Sequence, residues 1–453
     1  MDLALYRFLK GLCNPVVSAS IRSRQTLKAD EMQLKTLLNS VERYKGFVYK
    51  TAKLTKSHGN WLFSKPTIVV SMKPRKNSRP YCSGCGQRGP GYDHLPERLW
   101  EYIPILSIVV YFAYSRRRVD CPRCGPTAEI VPWASGNRQQ TESLCWFLAS
   151  WARLLSWSEV AKRFCTSWDS VFRAVERAVE WGLANRDLSN IESLGVDEIA
   201  RAKGHRYLTL VYHIDSWGRR LLWIGDERKE DTLKSFFDWF GTERCARVKA
   251  ICSDMWKPYL KVIKESLPSA LHILDRFHIV ANINKALDEV RAGEARKMAA
   301  DGYEPVLTKT KWLLLRRPGS LKGKQKRVLR SLIRYNLRTV RAYLLKEEFQ
   351  QLWNYKSIVW ASKFIDGWTT AVMRSKIEPM KKQARSIRRH KELILNWFRA
   401  RGELSSGIVE GLNTKAKLTS RKAYGYRSPE IQKVALYHTL GRLPTPEWTH
   451  KFC

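Results

Sequence analysis

Two pairs of cysteines constrain this chain more than anything else in it. Cys82-Ser-Gly-Cys85 and Cys121-Pro-Arg-Cys124 have metal-ligand spacing, and each is followed by a glycine, Gly86 or Gly125, that frees the backbone to wrap its amides around thiolates. A redox CxxC motif comes singly, whereas two knuckles flanking a hairpin-length segment can close a tetrahedron. Cys82, Cys85, Cys121 and Cys124 are therefore expected to hold a structural Zn²⁺ that folds a module over residues 81–126. The other six of the ten cysteines are expected to be buried thiols in a reducing compartment, since the first residues lack the features of a secretion signal.

Charge indicates the partner class. The 453 residues carry 81 Lys+Arg against 42 Asp+Glu, a formal +39, and a field of that size attracts polyanions. With 18 Trp, 18 Tyr and 15 Phe the chain is no disordered basic tail, so a folded nucleic-acid-binding protein of several domains is expected. The longest apolar run, 103–114, is broken by Pro104 and Ser107 and falls far short of the roughly 20 residues that span a bilayer. The expected setting is cytoplasmic, on DNA, with no membrane partner.

Residues 1–80 carry no readable motif beyond a strand at 67–72. A second strand is expected at 107–114, followed by Arg116-Arg117-Arg118, which would contact phosphate without specificity. From 141 to 188 apolar residues recur at helical spacing in three blocks, 144–155, 157–164 and 168–183, with Ser158 as cap of the second and Thr166 or Ser167 of the third. Only 165–167 separate those two, the brevity of a helix-turn-helix. Ser170, Arg173 and Arg177 on the last helix are the candidates for reading bases in the major groove.

The pattern then changes. Strands are expected at 193–197, 207–214 and 220–225, with Asp215-Ser216-Trp217-Gly218 as a hairpin turn, then a helix at 231–240, a strand at 248–254, a helix at 256–267 and a strand at 270–274. In this order the fourth strand can cross back to lie parallel beside the first. Residues 277–398 show only helical periodicity, with basic stretches and Trp312, Trp353, Trp360, Trp368 and Trp397, whose rings could stack on an unpaired base or pack a core. Ser405-Ser406 can open a last helix through Glu410, Asn413 and Lys417.

Three carboxylates fall at telling places: Asp197 ending the first strand, Asp254 ending the fourth, and Glu410 on the late helix. Each alone reads as an ordinary cap or turn residue. Jointly they are the hard oxygen donors that two Mg²⁺ or Mn²⁺ ions need for phosphodiester chemistry. Asn413 and Lys417 share a helix face with Glu410, and they, with Arg421 and Arg427, are candidates for phosphate contact.

Gly195-Val-Asp197-Glu198, Lys203-Gly-His205-Arg-Tyr207, Ser253-Asp254-Met255 with Tyr259, Asp275-Arg-Phe-His278 and Glu410-Gly-Leu-Asn413 resemble, in words and order, the successive motifs of insertion-sequence transposases of the ISL3 family. The resemblance runs from the cysteine knuckles to about Tyr426. It implies a multidomain α+β chain: an N-terminal region (1–80), a zinc module (81–126), a helix-turn-helix (141–190), and a ribonuclease H-like α/β catalytic domain (191–280 and 401–453) interrupted by an all-helical insertion (281–400). It implies a DDE triad of Asp197, Asp254 and Glu410, with Asp275 and His278 in supporting roles. His278 could equally be a core histidine bound to Asp275.

The implied activity is binding of terminal inverted repeats, metal-dependent cleavage at each end, and attack of the freed 3′-hydroxyl on target DNA, in a homodimer or larger synapse. The rival readings are a stand-alone two-metal nuclease on the same fold, and a domesticated DNA-binding regulator that keeps the zinc module and has no need of the acids.

Overall fold

Alternating burial builds the first of two units, Met1–Gln139. In the computed structural model the described residues are 34–55, 66–202, 206–304, 306–400, 407–423 and 425–447. Residues 1–33, Lys203-Gly-His205, the Ser405-Ser406 cap and the tail from 448 lie outside them. α1 (Leu34–Val41) precedes β1 (Phe47–Thr55), β2 (Thr67–Pro74), the hairpin of β3 (Gly91–Ile105) and β4 (Ile108–Cys121), and the short β5 (Gly125–Ala128). The sheet runs β1-β2-β4-β3 with β5 on β4, and β2 lies parallel to β4. Every second residue of these strands enters one core: Phe47 and Tyr49, Val70 and Met72, Trp100 and Tyr102, Val110, Phe112 and Tyr114. Trp133 fills its centre, edge-on to Phe47 at 5.0 Å and to Trp100 at 5.7 Å.

Three expectations change here. Ser107 does not start a strand: Leu106 and Ser107 both adopt left-handed φ, 50° and 65°, and make the two-residue hairpin turn. Strands on both sides of residue 80 belong to one sheet, because β2 pairs with β4. Arg117 and Arg118 are engaged within the unit rather than left free for phosphate. Arg117 Nη2 lies 2.8 Å from Glu129 Oε2 and its Nη1 donates to the Ser78 carbonyl at 2.7 Å, while Arg118 pairs with Asp93. Tyr114 OH completes the buried group, donating to Glu129 Oε1 at 2.5 Å.

The second unit, Gln140–Cys453, opens with α2 (Glu142–Leu154), α3 (Trp157–Arg163) and α4 (Trp168–Ala184). Ser156, not Ser158, caps α3, in a reciprocal capping box with Glu159; Ser158 is already inside the helix. Ser167 caps α4 by accepting from the Ser170 amide. The turn between them places Cys165 at a left-handed φ of 56° on the surface. Cys165 is therefore an exposed thiol and Cys245 a half-buried one, whereas Cys145 and Cys252 are buried; Cys13 and Cys453 lie outside the described residues.

A five-stranded mixed sheet follows: β6 (Ser193–Ala202), β7 (Arg206–His213), β8 (Arg220–Asp226), α5 (Glu230–Phe240), α6 (Thr242–Arg247), β9 (Ala250–Ser253), α7 (Lys257–Ser266) and β10 (Leu271–Leu274). Its order is β10-β9-β6-β7-β8, with β6, β7 and β8 antiparallel and β9 and β10 parallel to β6. Apolar residues cover both faces: Leu194, Val196, Phe236 and Ile263 on one, Leu210, Tyr212, Cys252 and Ile273 on the other. The helix α6 and the extension of β6 through Ala202 were not anticipated. Asp197 thus lies within its strand rather than at its end.

From α8 (Arg276–Ala300) to α14 every element among the described residues is helical: α9 (Lys311–Leu315), α10 (Gly323–Ile333), α11 (Arg338–Gln350), α12 (Ile358–Arg374), α13 (Glu378–Arg389) and α14 (Lys391–Arg399), with two short 3₁₀ turns. They enclose their own core around Ile283, Leu287, Tyr343, Phe349, Ile365, Trp368 and Met380. Trp368 is buried, donating to the Leu345 carbonyl at 2.8 Å, while Trp312 and Trp360 are exposed. Asn396 on α14 donates to the His272 carbonyl of β10 at 2.6 Å, tying the end of the helical segment to the sheet. α15 (Gly407–Lys422) and α16 (Pro429–Leu440) then pack against the sheet through Val409, Leu412, Ala416 and Leu436. No helix among the described residues is long and apolar enough to cross a membrane.

Removing one partner of the buried Arg117–Glu129 pair strands a charge. Glu129→Ala is expected to destabilise the first unit by about 3–5 kcal/mol, lowering the urea midpoint for exposure of its cysteines to a thiol reagent by about 1 M or more. An unchanged midpoint would contradict this account of the pair.

Candidate functional site: an acidic edge and a four-cysteine cluster

The register of the parallel strands sets the acids level with one another. Gly195 of β6 pairs with Cys252 of β9, so two residues further along Asp197 comes level with Asp254. Ser253 of β9 pairs with Leu274 of β10, so Asp254 and Asp275 are level in turn. Three carboxylates are therefore level across three adjacent parallel strands, at the point where β9 and β10 end while β6 runs on to Ala202.

The fourth element at this edge is α15. A Cβ on Gly195 would lie 2.5 Å from Val409, so only glycine lets the helix settle this closely on β6. Asn413 is then buried, its Nδ2 donating to Asp197 Oδ2 and its Oδ1 accepting from Tyr212 OH at 2.6 Å. Asn413 is thus a clamp on a carboxylate instead of a free phosphate ligand, because burial leaves its amide no path to solvent. Glu410 stands one turn earlier on the same helix and is exposed. Lys417, Arg421 and Arg427 are exposed.

His278 belongs to this edge and not to the core. Asp275 caps α8 by accepting from the Phe277 amide at 2.7 Å, which turns His278 toward the acids. Its Nε2 lies 3.8 Å from Asp197 Oδ1 and 3.7 Å from Asp275 Oδ2, and the side chain is 42% exposed.

Arg228, in the loop after β8, was missed at the sequence level. Its Nε lies 3.0 Å from Glu198 Oε1, its Nη2 pairs with Asp254, and its guanidinium lies over Trp256 at 4.7 Å. No motif or periodicity marks a lone arginine in a loop. Tyr212 was missed as well: within a buried apolar strand nothing distinguishes a tyrosine that packs from one that also donates.

Crowded acids with little water resist ionisation. Burial pushes Asp197 up to about 6, Asp275 and Asp254 add to the rise, and the Glu198 amide and His278 oppose it. Burial likewise pushes Glu198 up to about 7, with Asp254 adding and Arg228 opposing.

The four cysteines form a separate centre in the first unit. Their Sγ atoms all lie within 4.8 Å of one another, and among the described residues they are the one group of three or more His, Cys, Asp or Glu side chains so gathered. Cys82 Sγ accepts from the Gly84 amide at 3.4 Å, and Gly86 and Gly125 take positive φ of 72° and 69°. Amide hydrogen bonding, from Cys85 first, lowers the Cys82 thiol to about 6, whereas burial first and then the neighbouring thiols push Cys124 up to about 12, so Cys82 is the readiest thiolate of the metal-free cluster. The cluster can hold a metal ion.

On α4, Arg173 is exposed and Ser170 partly so, whereas Arg177 is half-buried and bonded within the helix bundle. Its Nε donates to Glu142 Oε2 at 2.7 Å, holding α4 to α2, because its position faces the helix bundle.

The raised carboxyl pKa values carry a sign. A group whose folded pKa exceeds its ordinary value, here 3.8 for Asp197, stabilises the fold fully below that value and loses the contribution as pH rises through about 6. In buffer free of Mg²⁺ and Mn²⁺, Asp197→Asn is expected to melt above the parent chain at pH 8, the gap closing toward pH 4. A gap that widens toward acid would contradict this electrostatic account.

A family model described as "Transposase", of the ISL3 type, matches residues 194–435, from the start of β6 into α16. The chain is 30% identical over 399 residues to the transposase for insertion sequence element IS1001 of Bordetella parapertussis, covering 87% of this chain and 95% of that protein. It is 28% identical over 414 residues to the transposase for insertion sequence element IS1557 of Mycobacterium tuberculosis, covering 84% and 91%. A match over this span, enclosing every acid at the sheet edge, places the chain in the ISL3 family of insertion-sequence transposases.

Proposed function

We propose that this transposase cuts and joins DNA strands at the acidic edge of a ribonuclease H-like sheet, with Asp197, Asp254 and Glu410 as its metal-holding carboxylates. The observation that carries the reading is the level placement of Asp197 and Asp254 on adjacent parallel strands, with α15 clamped to Asp197 one turn from Glu410. The strand order β8-β7-β6-β9-β10 supports the fold assignment.

The donor set suits hard divalent ions such as Mg²⁺ or Mn²⁺: carboxylate oxygens whose mutual repulsion a cation relieves. Bound there, a pair of such ions would polarise the attacking and leaving oxygens of an in-line displacement, first with water and then with a 3′-hydroxyl as nucleophile. The chain's own residues do the positioning. Asn413 fixes the rotamer of Asp197, Arg228 restrains Asp254 and Glu198, and His278 Nε2 faces Asp197 and Asp275, where it can hold a proton beside the reacting phosphate. The four thiolates fit a structural Zn²⁺. Arg173 and Ser170 on α4 would read the terminal repeats, and Lys417, Arg421 and Arg427 would hold phosphates, in a dimer or larger synapse that joins two ends.

Cleavage of end-bearing DNA in Mg²⁺ tests this, with the parent chain beside Asp254→Ala and a gel shift on both. The expected result is unchanged binding and a loss of cutting of about 10³-fold, the equivalent of roughly 4 kcal/mol of transition-state stabilisation. Equal cutting by both would remove Asp254 from the mechanism.

A further inference from the structure

A cavity of about 840 Å³ lies between the helix-turn-helix and the last two helices, and of its lining only Arg427 has so far been given a role. That volume falls within the roughly 300–1,000 Å³ typical of small-ligand sites. Its wall is an aromatic cluster. Trp168 stacks on Phe172 with centroids 5.6 Å apart and planes 12° from parallel, Trp157 lies 5.6 Å from Trp168, and Tyr426 lies 6.1 Å from Trp157. Trp168 is 38% exposed although it opens α4, so part of this flat apolar surface faces solvent.

The charge of the lining points to an occupant. Arg153, Lys422 and Arg427 line the same cavity against a single acid, Asp169. Flat rings and a cationic lining together match a planar heteroaromatic base carrying a phosphate.

We propose that this cavity captures one unpaired nucleotide of the DNA, its base against Trp168, Trp157 and Tyr426 and its phosphate at Arg427 and Lys422. The proposal rests on the reading of the chain as a DNA-cutting enzyme and adds a site to it. α15 connects the two places: Lys422 lies twelve residues beyond Glu410, about 18 Å along the helix. A strand whose scissile phosphate lies at the acids can therefore leave a nearby base at the cavity, and holding that base out of the stack would fix which phosphate is presented.

The test is photo-crosslinking of the full chain to a short oligothymidine strand carrying one 5-iododeoxyuridine, with peptides mapped by mass spectrometry. Crosslinks at Trp157, Trp168, Phe172 or Tyr426 are expected. An abasic strand of the same length should bind about tenfold more weakly than the base-bearing one. Tyr426→Ala should cut the crosslink yield while Tyr426→Phe keeps it, with duplex binding by both variants reporting an intact fold. Retained duplex binding with crosslinks confined to other regions, or equal affinity for the abasic strand, overturns the nucleotide site alone. Failure to bind duplex and single strand alike overturns the DNA-cutting reading together with it.

Discussion

The parallel pairing of β6 with β9 is the constraint on which the rest of the second unit depends. Residues more than fifty positions apart become level because Gly195 pairs with Cys252, and the same ladder extended to β10 adds Asp275. A parallel pair needs a long crossover, supplied here by β7, β8, α5 and α6, whose buried Leu233, Phe236 and Phe240 close one face of the sheet. A one-residue slip in this register would turn Asp254 to the other face of its strand, away from Asp197.

Gathering acids at one edge is costly, and the neighbouring elements answer that cost locally. Arg228 brings a fixed positive charge to Glu198 and Asp254, Asn413 donates to Asp197, and the start of α8 points amides at Asp275. These partners come from a loop, a late helix and the first helix of the insertion. Although the helical segment separates β10 from α15 by more than a hundred residues, α14 docks back on β10 through Asn396, so the chain re-enters beside the strand it left. The long insertion leaves the edge assembled because both its ends are anchored to the sheet.

Much of this was legible in the sequence where a signal is local. The cysteine spacing, the helix-turn-helix blocks and the strand-helix order from 193 to 274 follow from spacing and periodicity, and the elements occur close to where they were expected. What could not be read depends on distant partners. Arg177 looks like any exposed basic residue until Glu142 claims it, Asn413 looks like a surface amide until Gly195 lets α15 approach, and Arg228 carries no pattern at all. Local turn chemistry misled at Leu106-Ser107, where the chain accepts positive φ without glycine, and at Ser158, where Ser156 with Glu159 forms the better capping box. The sheet joining residues 67–74 to the cysteine module was hidden for the same reason, since its pairing skips over the hairpin strand β3 in sequence.

The central proposal is that Asp197, Asp254 and Glu410 together bind divalent ions, and it can be tested without DNA or turnover. Fe²⁺ substituted for Mg²⁺ and treated with ascorbate and peroxide cleaves polypeptide only close to the bound ion. The account predicts chain cuts in three separate stretches, around residues 197, 254 and 410, suppressed by excess Mg²⁺ and lost in Asp197→Ala. Cuts around only one of these stretches, or a pattern unchanged in Asp197→Ala, would contradict it.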